Sequence, residues 1–301
     1  MKNKLLKLIS IIVALLVFYQ FPLTVKADTV MKNSISEVNL ENFKKEKKNL
    51  LYSELDKSGR PYRSYFIGND KYQEGKRVGK PEEPQNLKGK WYQQNLAPKG
   101  EKPVYLWDRG HLVGNQFAGH PSNLGINIVG QTSYANQKLQ TYFEGGMKTS
   151  NKNALDNWLY LHPNYVIEYF VTANYKNDTD QYPVSNTLKF RGVDMKGNTI
   201  KIKLPDSDQE GIDKQVDEDA DFTSVTIHNI YPGWDIDYKT GVATKKGEDS
   251  KGKKSSVEEV KTSQNGSDDL ASGIVPEEFE QAKDFFSWLI DIIVRIFRSN
   301  R

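Results

Sequence analysis

The chain has 301 residues, of which 37% are hydrophobic and 27% are charged, and it contains no cysteine. This length suits one large domain or two small ones. The missing cysteines exclude a small scaffold held together by disulfides, so an exported form of the chain must rely on a sizeable hydrophobic core.

The first 27 residues have the pattern of an export signal. Lys2, Lys4 and Lys7 precede an apolar run, residues 8–18, and small residues close the segment at Ala27. The alternative is a retained membrane anchor, but the apolar run is shorter than the roughly 20 residues that a spanning helix needs. We therefore predict a signal peptide over residues 1–27, cleavage after Ala27 and a secreted, extracellular protein.

The charge of the chain is balanced overall and segregated along its length. Removing residues 1–27 takes away four lysines and no acid, so 42 basic against 39 acidic residues become 38 against 39. Residues 44–109 hold 16 Lys and Arg against 9 Asp and Glu, while residues 206–221 hold eight acids and one lysine. One face can therefore attract a polyanion although the net charge is near zero.

The predicted elements begin with a polar lead-in over residues 28–50, with a helix from Ser36 to Leu51. A folded body over residues 51–245 follows, rich in β-branched and aromatic segments. Its predicted strands are Arg63–Ile67, Val104–Trp107, Val166–Ala173, Leu188–Val193, Thr199–Leu204 and Ser224–Ile230. Lys196-Gly197-Asn198 indicates a hairpin turn. Two predicted helices cover Tyr134–Phe143 and Asn153–Leu161. Many strands with few helices predict an α+β fold with a mixed or antiparallel sheet.

The last part of the chain divides into a linker and a helix. Residues 246–273 are rich in Lys, Ser, Glu, Asp and Gly, hold almost no large apolar residue and are predicted to be a disordered linker. Residues 274–301 form a predicted amphipathic helix, which is too short and too charged to span a bilayer. The sequence leaves open whether this helix lies on a membrane surface, associates with a second copy, or docks on the body.

The residues that carry chemistry follow one another in the middle of the chain. Asp108-Arg109-Gly110-His111 is followed by Asn127, and then by Asn136 and Glu144, which are eight residues apart on a predicted helix. Eight residues are just over two α-helical turns, which leaves the two side chains roughly 80° apart around the axis. They can therefore serve one pocket if His111 faces the start of the helix.

These residue types suit phosphodiester hydrolysis. Neutral histidine takes a proton from water near pH 7. A hard divalent cation neutralises charge on the phosphate and on the leaving oxygen, and Mg²⁺ needs few protein oxygens because it keeps several waters. One amide oxygen, from Asn136, is then enough, Glu144 orients the waters, and Arg109 offers a fork for phosphate oxygens.

The same residues resemble the DNA/RNA non-specific endonuclease family, whose core is a ββα-metal (His-Me) finger. The chain is most similar to the exported members from Gram-positive bacteria, including streptodornases. The resemblance extends from about Leu51 to Thr244, through Tyr52–Arg60, Tyr165–Tyr175 with Pro183-Val184-Ser185, and Asn229–Gly233 with Ile236–Gly241. It makes residues 51–245 a nuclease domain and implies cleavage of DNA, with RNA left open, and with little sequence preference.

The resemblance also implies roles for single residues. His111 is the implied general base, Asn136 the metal ligand, Glu144 the water-orienting acid and Arg109 the stabiliser of the transition state. Asn127 is implied as a further site residue. The expected cofactor is Mg²⁺, with Mn²⁺ as a substitute. Some relatives place a basic residue one turn after the glutamate; here that position is Lys148, behind two glycines expected to end the helix.

Each site residue has a structural alternative. His111 would then be a hydrogen-bonded core histidine, and Asn136 an N-cap of its helix. Asp108 is expected to orient Arg109 or the loop. His120, His162 and His228 are expected to be structural.

At the level of the whole protein, the alternatives are a secreted binding or adhesion module without catalysis and a metal-dependent esterase of another kind. The intact quartet of Arg109, His111, Asn136 and Glu144 argues against the first. The lack of Gly-x-Ser-x-Gly and His-Glu-x-x-His motifs argues against the second.

Overall fold

The computed structural model describes residues 29–69, 79–145, 154–203, 207–215 and 221–247. The predicted signal peptide, Lys148, almost all of the predicted linker and the predicted C-terminal helix lie outside these ranges. Within them, no helix has the length and apolarity needed to cross a membrane.

The protein is built on one large, mainly antiparallel sheet. Twelve strands are described: β1 Thr29–Met31, β2 Asn49–Leu55, β3 Pro61–Gly68, β4 Trp107–His111, β5 Ile128–Thr132, β6 Tyr165–Asn174, β7 Ser185–Asp194, β8 Thr199–Ile200, β9 Ile212–Gln215, β10 Thr223–His228, β11 Trp234–Asp237 and β12 Val242–Lys245. The large sheet has the order β1-β2-β3-β6-β7-β10-β9, with β8 paired to β7. Only the β1–β2 pair in it is parallel. The predicted α+β class with a mixed sheet is confirmed.

The helices are short. The α-helices are α1 Leu40–Glu46, α2 Asn115–Ala118, α3 Thr141–Glu144 and α4 Leu155–Leu161. A π-helix, Ala135–Gln140, runs directly into α3. Single 3₁₀ turns lie at Ile35–Glu37, Gln85–Leu87, His120–Asn123 and Gly125–Asn127.

The polar lead-in is part of the fold. The α1 helix is shorter than the predicted Ser36–Leu51 helix, because Lys47 adopts a left-handed φ of 53° and β2 starts at Asn49. Phe43 and Leu50 are buried beside Ile67. The folded unit therefore begins before the predicted boundary at residue 51.

Two of the strands form a separate ribbon that is followed by a helix. β4 and β5 pair antiparallel with each other, and the π-helix and α3 follow β5. Leu139 and Phe143 on this helical segment are buried in the main core, with Tyr169 and Phe190 of the large sheet. Burying each such side chain stabilises the fold by about 1.5–3 kcal/mol. The ribbon and helix are thus attached firmly to the sheet.

Most predicted elements lie close to their observed positions. The helix predicted at Tyr134–Phe143 and the strands predicted around β3, β6, β7 and β10 are confirmed. The strand predicted at Val104–Trp107 is wrong in position, since the ribbon strand starts at Trp107. The strand predicted at Thr199–Leu204 is reduced to two residues, Thr199–Ile200.

Candidate active site

The ββ ribbon fixes where Arg109 and His111 lie. Arg109 is opposite Gly130, and His111 is opposite Ile128. Side chains alternate along a strand, so Arg109 and His111 share one side of the ribbon and Asp108 lies on the other side. One side of the ribbon therefore carries the basic residues Arg109 and His111, and the opposite side carries the acidic residue Asp108.

The helix that follows the ribbon starts earlier than an Asn136 cap would require. The Thr132 hydroxyl accepts a hydrogen bond from the Ala135 backbone N–H at 3.0 Å, so Thr132 satisfies a free donor of the first turn. Asn136 lies within the π-helix, and its carbonyl accepts hydrogen bonds from the Thr141 backbone N–H and hydroxyl. The N-cap alternative for Asn136 is wrong. Its side chain is left for another partner, in a π-turn of the kind often found at functional sites.

Asp108 holds the Asn136 side chain. The Asn136 Nδ2 donates to Asp108 Oδ2 at 2.9 Å, and Gln137 Nε2 donates to the same oxygen at 2.8 Å. Asn136 Oδ1 accepts no hydrogen bond from the described part of the chain. Asp108 therefore orients Asn136, and not Arg109 or the loop as the sequence suggested. An oriented amide oxygen at a half-buried position is a ligand that a hard cation accepts.

Glu144 ends the helix in a buried pocket of donors. Its Oε1 accepts from the Tyr169 hydroxyl at 2.6 Å and from Gln140 Nε2 at 3.0 Å, and its Oε2 accepts from Gln116 Nε2 at 3.0 Å. Burial raises the pKa of Glu144 to about 7, although these hydrogen bonds act in the opposite direction. Burial and the neighbouring Glu144 also raise the pKa of Tyr169 well above its ordinary value.

Gly145 explains why the helix stops there. Its φ is 91°, and a Cβ at this position would lie 1.8 Å from Asp156 Oδ1. Only glycine fits the backbone and the space. The expected end of the helix at the glycines is confirmed at Gly145, and Lys148 lies outside the described residues.

Gln140 connects the helix to His111, and sequence analysis missed it. Its Nε2 lies within hydrogen-bond distance of the backbone carbonyls of His111, at 2.9 Å, and Leu112, at 3.2 Å, as well as of Glu144. The spacing of four residues from Asn136 to Gln140 and again to Glu144 is the available signal, because such residues share one helix face. This buried amide ties the strand end to Glu144.

The His111 ring lies in a buried environment. His111 is 8% exposed, and its Nε2 is 2.9 Å from Asn123 Oδ1. The hydrogen bond with Asn123 is what the structural alternative, a hydrogen-bonded core histidine, requires of His111. A positioned base needs such a partner as well.

Arg109 is held loosely at the surface. Its guanidinium donates to the Pro81 carbonyl at 3.1 Å and lies 3.4 Å from Glu83 Oε1. It also lies over the Trp91 ring, 5.8 Å from the centroid. The Arg109 side chain keeps 36% of its exposure, so an incoming anion has access to it.

Asn127 is fully buried and supports the loop. Its Oδ1 accepts from the Ser64 hydroxyl at 2.7 Å and the Val113 N–H at 3.2 Å, and its Nδ2 donates to the Val113 and Ser122 carbonyls. All these partners are protein groups. The geometry makes Asn127 a scaffold that ties the chain after His111 to β3.

Hydrogen bonds join the predicted residues in two groups. Gln140 links Glu144 to the backbone of His111, and Asp108 holds Asn136 at the start of the same helical segment. Within the described ranges, no three His, Asp or Glu side chains converge as a metal site. A cation here would depend on amide oxygen and water.

Solved structures of nucleases match about two thirds of the chain. No protein-family model matches it, and no curated protein gives a significant match. One similar structure is NucA from Streptococcus agalactiae with magnesium bound, at 19% identity and a TM-score of 0.43, covering 66% of this chain and 78% of that one. Another is an extracellular endonuclease, at 24% identity and 0.42, covering 65% and 86%. A third is the Sda1 nuclease with a bound zinc ion, at 19% identity and 0.41, covering 64% and 81%.

Proposed function

We propose that this protein is a secreted endonuclease that hydrolyses phosphodiester bonds of DNA, with RNA as a second substrate to be tested. The observation that carries the proposal is the Asp108–Asn136 pair at the start of a helix whose Gln140 is bonded both to the His111 carbonyl and to Glu144. The ββα arrangement of β4, β5 and this helix then acts as a His-Me finger.

Asn136 is the proposed ligand of one divalent cation. Its Oδ1 has no partner in the described part of the chain, and Asp108 fixes the amide and adds negative charge next to it. Mg²⁺, with Mn²⁺ as a substitute, fits this sparse oxygen donor set because it keeps most of its waters. When bound, the cation supplies charge neutralisation on the phosphate and the leaving oxygen.

His111 is the proposed general base, which takes the proton of the attacking water. Its ring is held by Asn123 and its backbone by Gln140, so its position is set before substrate arrives. Positioned proton transfer of this kind contributes about 10²–10⁴-fold to a rate.

Arg109 is the proposed stabiliser of the developing charge on phosphate. Its contact with Glu83 is longer than a well-formed hydrogen bond, so a phosphate can take over the guanidinium at modest cost. A bidentate contact between the Arg109 guanidinium and a phosphate is stronger than the long contact with Glu83.

Glu144 and Asn127 are the remaining proposed site residues, and their proposed roles differ. Gln116 is the half-buried partner of Glu144 Oε2, so this oxygen becomes available to a water when Gln116 turns away. That gives Glu144 the proposed water-orienting role. Asn127 is proposed to act as a positioning residue, through the loop that carries Val113 and Ser122.

Plasmid digestion tests the proposal. Wild-type protein with Mg²⁺ is expected to nick and linearise plasmid, and EDTA is expected to stop it. The His111→Ala variant is expected to lose at least about 10²-fold in rate while it keeps its fold and its DNA binding. His162→Ala is the matched control, since that ring contacts only the α4 end and Tyr165 in the described structure.

The same assay separates the enzyme from a binding module. Wild-type protein that binds DNA but never cleaves it, with any divalent cation, would support the module without catalysis. Digestion by His111→Ala at the wild-type rate would remove His111 from the base role.

A further inference from the structure

The Arg109 guanidinium contacts three groups of the segment that precedes the ribbon. It donates to the Pro81 carbonyl at 3.1 Å, lies 5.8 Å from the centre of the Trp91 ring, and lies 3.4 Å from Glu83 Oε1. The Pro81 carbonyl and the Trp91 ring are uncharged. The Glu83 carboxylate carries a negative charge, as does the phosphate that Arg109 is proposed to bind.

The Glu83 carboxylate is held in place beside Arg109. Its Oε2 accepts a hydrogen bond from the Gly89 backbone N–H at 2.6 Å. The Glu83 backbone carbonyl packs on Gly125, where an added Cβ would lie 2.6 Å from the carbonyl oxygen. The 3₁₀ turn Gln85–Leu87, which connects Glu83 to Gly89, is anchored by the buried Leu87 side chain. Because of these contacts, Glu83 stays near the guanidinium when a phosphate arrives.

The acids that neighbour Glu83 and Arg109 in sequence have other positions. Glu82 Oε2 accepts from the Gly125 N–H at 2.9 Å. Asp108 lies on the opposite side of the ribbon from Arg109. Within the described residues, Glu83 is therefore the acid that forms the ion pair with Arg109.

A fixed carboxylate beside a phosphate-binding guanidinium discriminates between anions by their charge. A phosphodiester carries one negative charge, whereas a phosphate monoester carries about 1.5 to 2 at pH 7. Repulsion from Glu83 grows with that charge. We propose that Glu83 is a specificity-determining residue that makes the Arg109 site favour phosphodiesters over phosphate monoesters. The inference rests on the proposed function only in taking Arg109 as the group that receives the scissile phosphate.

The size of the effect follows from the separation of the charges and from their exposure. The Arg109 and Glu83 side chains keep 36% and 26% of their exposure, so water screens the interaction in part. For charges about 6 Å apart and an effective dielectric constant of about 40–80, each further unit of negative charge on the phosphate weakens binding by about 3–10-fold.

The same repulsion affects the product of cleavage. Hydrolysis by water breaks one P–O bond of the diester and gives an alcohol and a phosphate monoester. The monoester carries more negative charge than the diester did. Glu83 therefore favours the release of this phosphorylated end from Arg109.

Titrations with two small phosphates test the inference without any cleavage. Dimethyl phosphate and methyl phosphate are added near pH 7.5 in EDTA at constant ionic strength, where the monoester is mainly a dianion. Binding is followed through the Arg109 Nε–H signal in ¹H–¹⁵N spectra. In Glu83→Gln, the affinity for methyl phosphate relative to dimethyl phosphate is expected to be about 3–10-fold higher than in wild type.

Two further variants complete the test. Glu101→Gln is the matched control, because it removes an exposed acid from the same segment, and it is expected to leave the affinity ratio unchanged. Glu83→Ala is expected to raise the ratio as Glu83→Gln does, and it decides if the glutamine variant does not fold. An unchanged ratio in the Glu83 variants would overturn the inference. So would wild-type protein that binds methyl phosphate more than about tenfold more tightly than dimethyl phosphate.

The outcomes separate this inference from the proposed function. Wild-type protein that cleaves no nucleic acid, together with a raised ratio in Glu83→Gln, would end the proposed function and leave the charge selectivity standing. Active wild-type protein with an unchanged ratio in the variants would refute the role of Glu83 alone. In active protein, inorganic phosphate is expected to inhibit plasmid cleavage by Glu83→Gln at about 3–10-fold lower concentration than it inhibits wild type.

Discussion

Replacing Glu144 with glutamine is expected to change how stability depends on pH. Burial raises the pKa of the Glu144 carboxyl to about 7 from an ordinary 4.5. Between these values the folded protein keeps a proton that the unfolded chain has released. The folded state then binds more protons than the unfolded state, so the free energy of unfolding falls as pH rises. This contribution is fully present below pH 4.5 and is lost by the time the pH exceeds 7.

The magnitude follows from the size of that window. Each unit of pKa difference corresponds to about 1.4 kcal/mol, so a shift from 4.5 to about 7 removes about 3 kcal/mol of stability across the window. Glutamine has no proton to lose. Its amide nitrogen has to face one of the donors that surround Glu144, and the cost of that contact is independent of pH. The stability of Glu144→Gln relative to wild type is therefore expected to rise by about 3 kcal/mol from pH 4.5 to pH 8.

Urea denaturation at several pH values in EDTA measures this difference without a bound cation. Glu41→Gln is the matched control, because the Glu41 side chain is 82% exposed and pairs only with Lys44 in the described structure. Its curve is expected to run parallel to that of wild type. If the Glu144→Gln curve also runs parallel to wild type from pH 4.5 to pH 8, Glu144 does not hold its proton in the folded protein and the argument from burial is wrong.

Three further changes address the site and the ends of the chain. Asn136→Ala is expected to raise the Mg²⁺ concentration for half-maximal plasmid cleavage by about 10-fold or more, because the cation loses its proposed protein ligand, the Asn136 amide oxygen. An unchanged Mg²⁺ titration would remove Asn136 from the metal site. Gln140→Leu removes the side-chain donor of the His111 and Leu112 carbonyls and one of the donors to Glu144, and is expected to destabilise the protein by about 1–3 kcal/mol in thermal or urea unfolding; wild-type stability would show that the bridge contributes nothing. Truncation after Gly273 is expected to leave cleavage of free DNA unchanged, because the predicted linker separates the tail from the body; a truncated protein that no longer cuts places the tail in the catalytic unit.

Local sequence patterns were sufficient for the long elements of the fold. The β6 and β7 strands are runs of alternating or continuous apolar residues, and each was predicted to within about three residues at either end. The helix after β5 was also predicted, because Leu139 and Phe143 recur at helical spacing. Such periodicities record which face of an element is buried, and this information is local.

The lead-in was underestimated because its partners are distant in the chain. β1 is only three residues long and exists through its parallel pairing with β2. Its sequence carries no periodicity of its own. The shift of the ribbon strand from Val104 to Trp107 has the same cause, since the pairing with β5 sets its start.

The sequence by itself selected the candidate site residues: Arg109, His111, Asn136 and Glu144 were chosen by their types, their spacing and the family resemblance. Only the tertiary structure decided which residues form hydrogen bonds with the candidates. Asp108 contacts Asn136 across 28 positions, Gln140 contacts the His111 carbonyl across 29, and Asn123 faces the His111 ring across 12. A hydrogen bond depends on distances of about 3 Å and on the direction of donor and acceptor. Those quantities are set when the ribbon, the loop and the helix pack together, and spacing along the chain does not contain them.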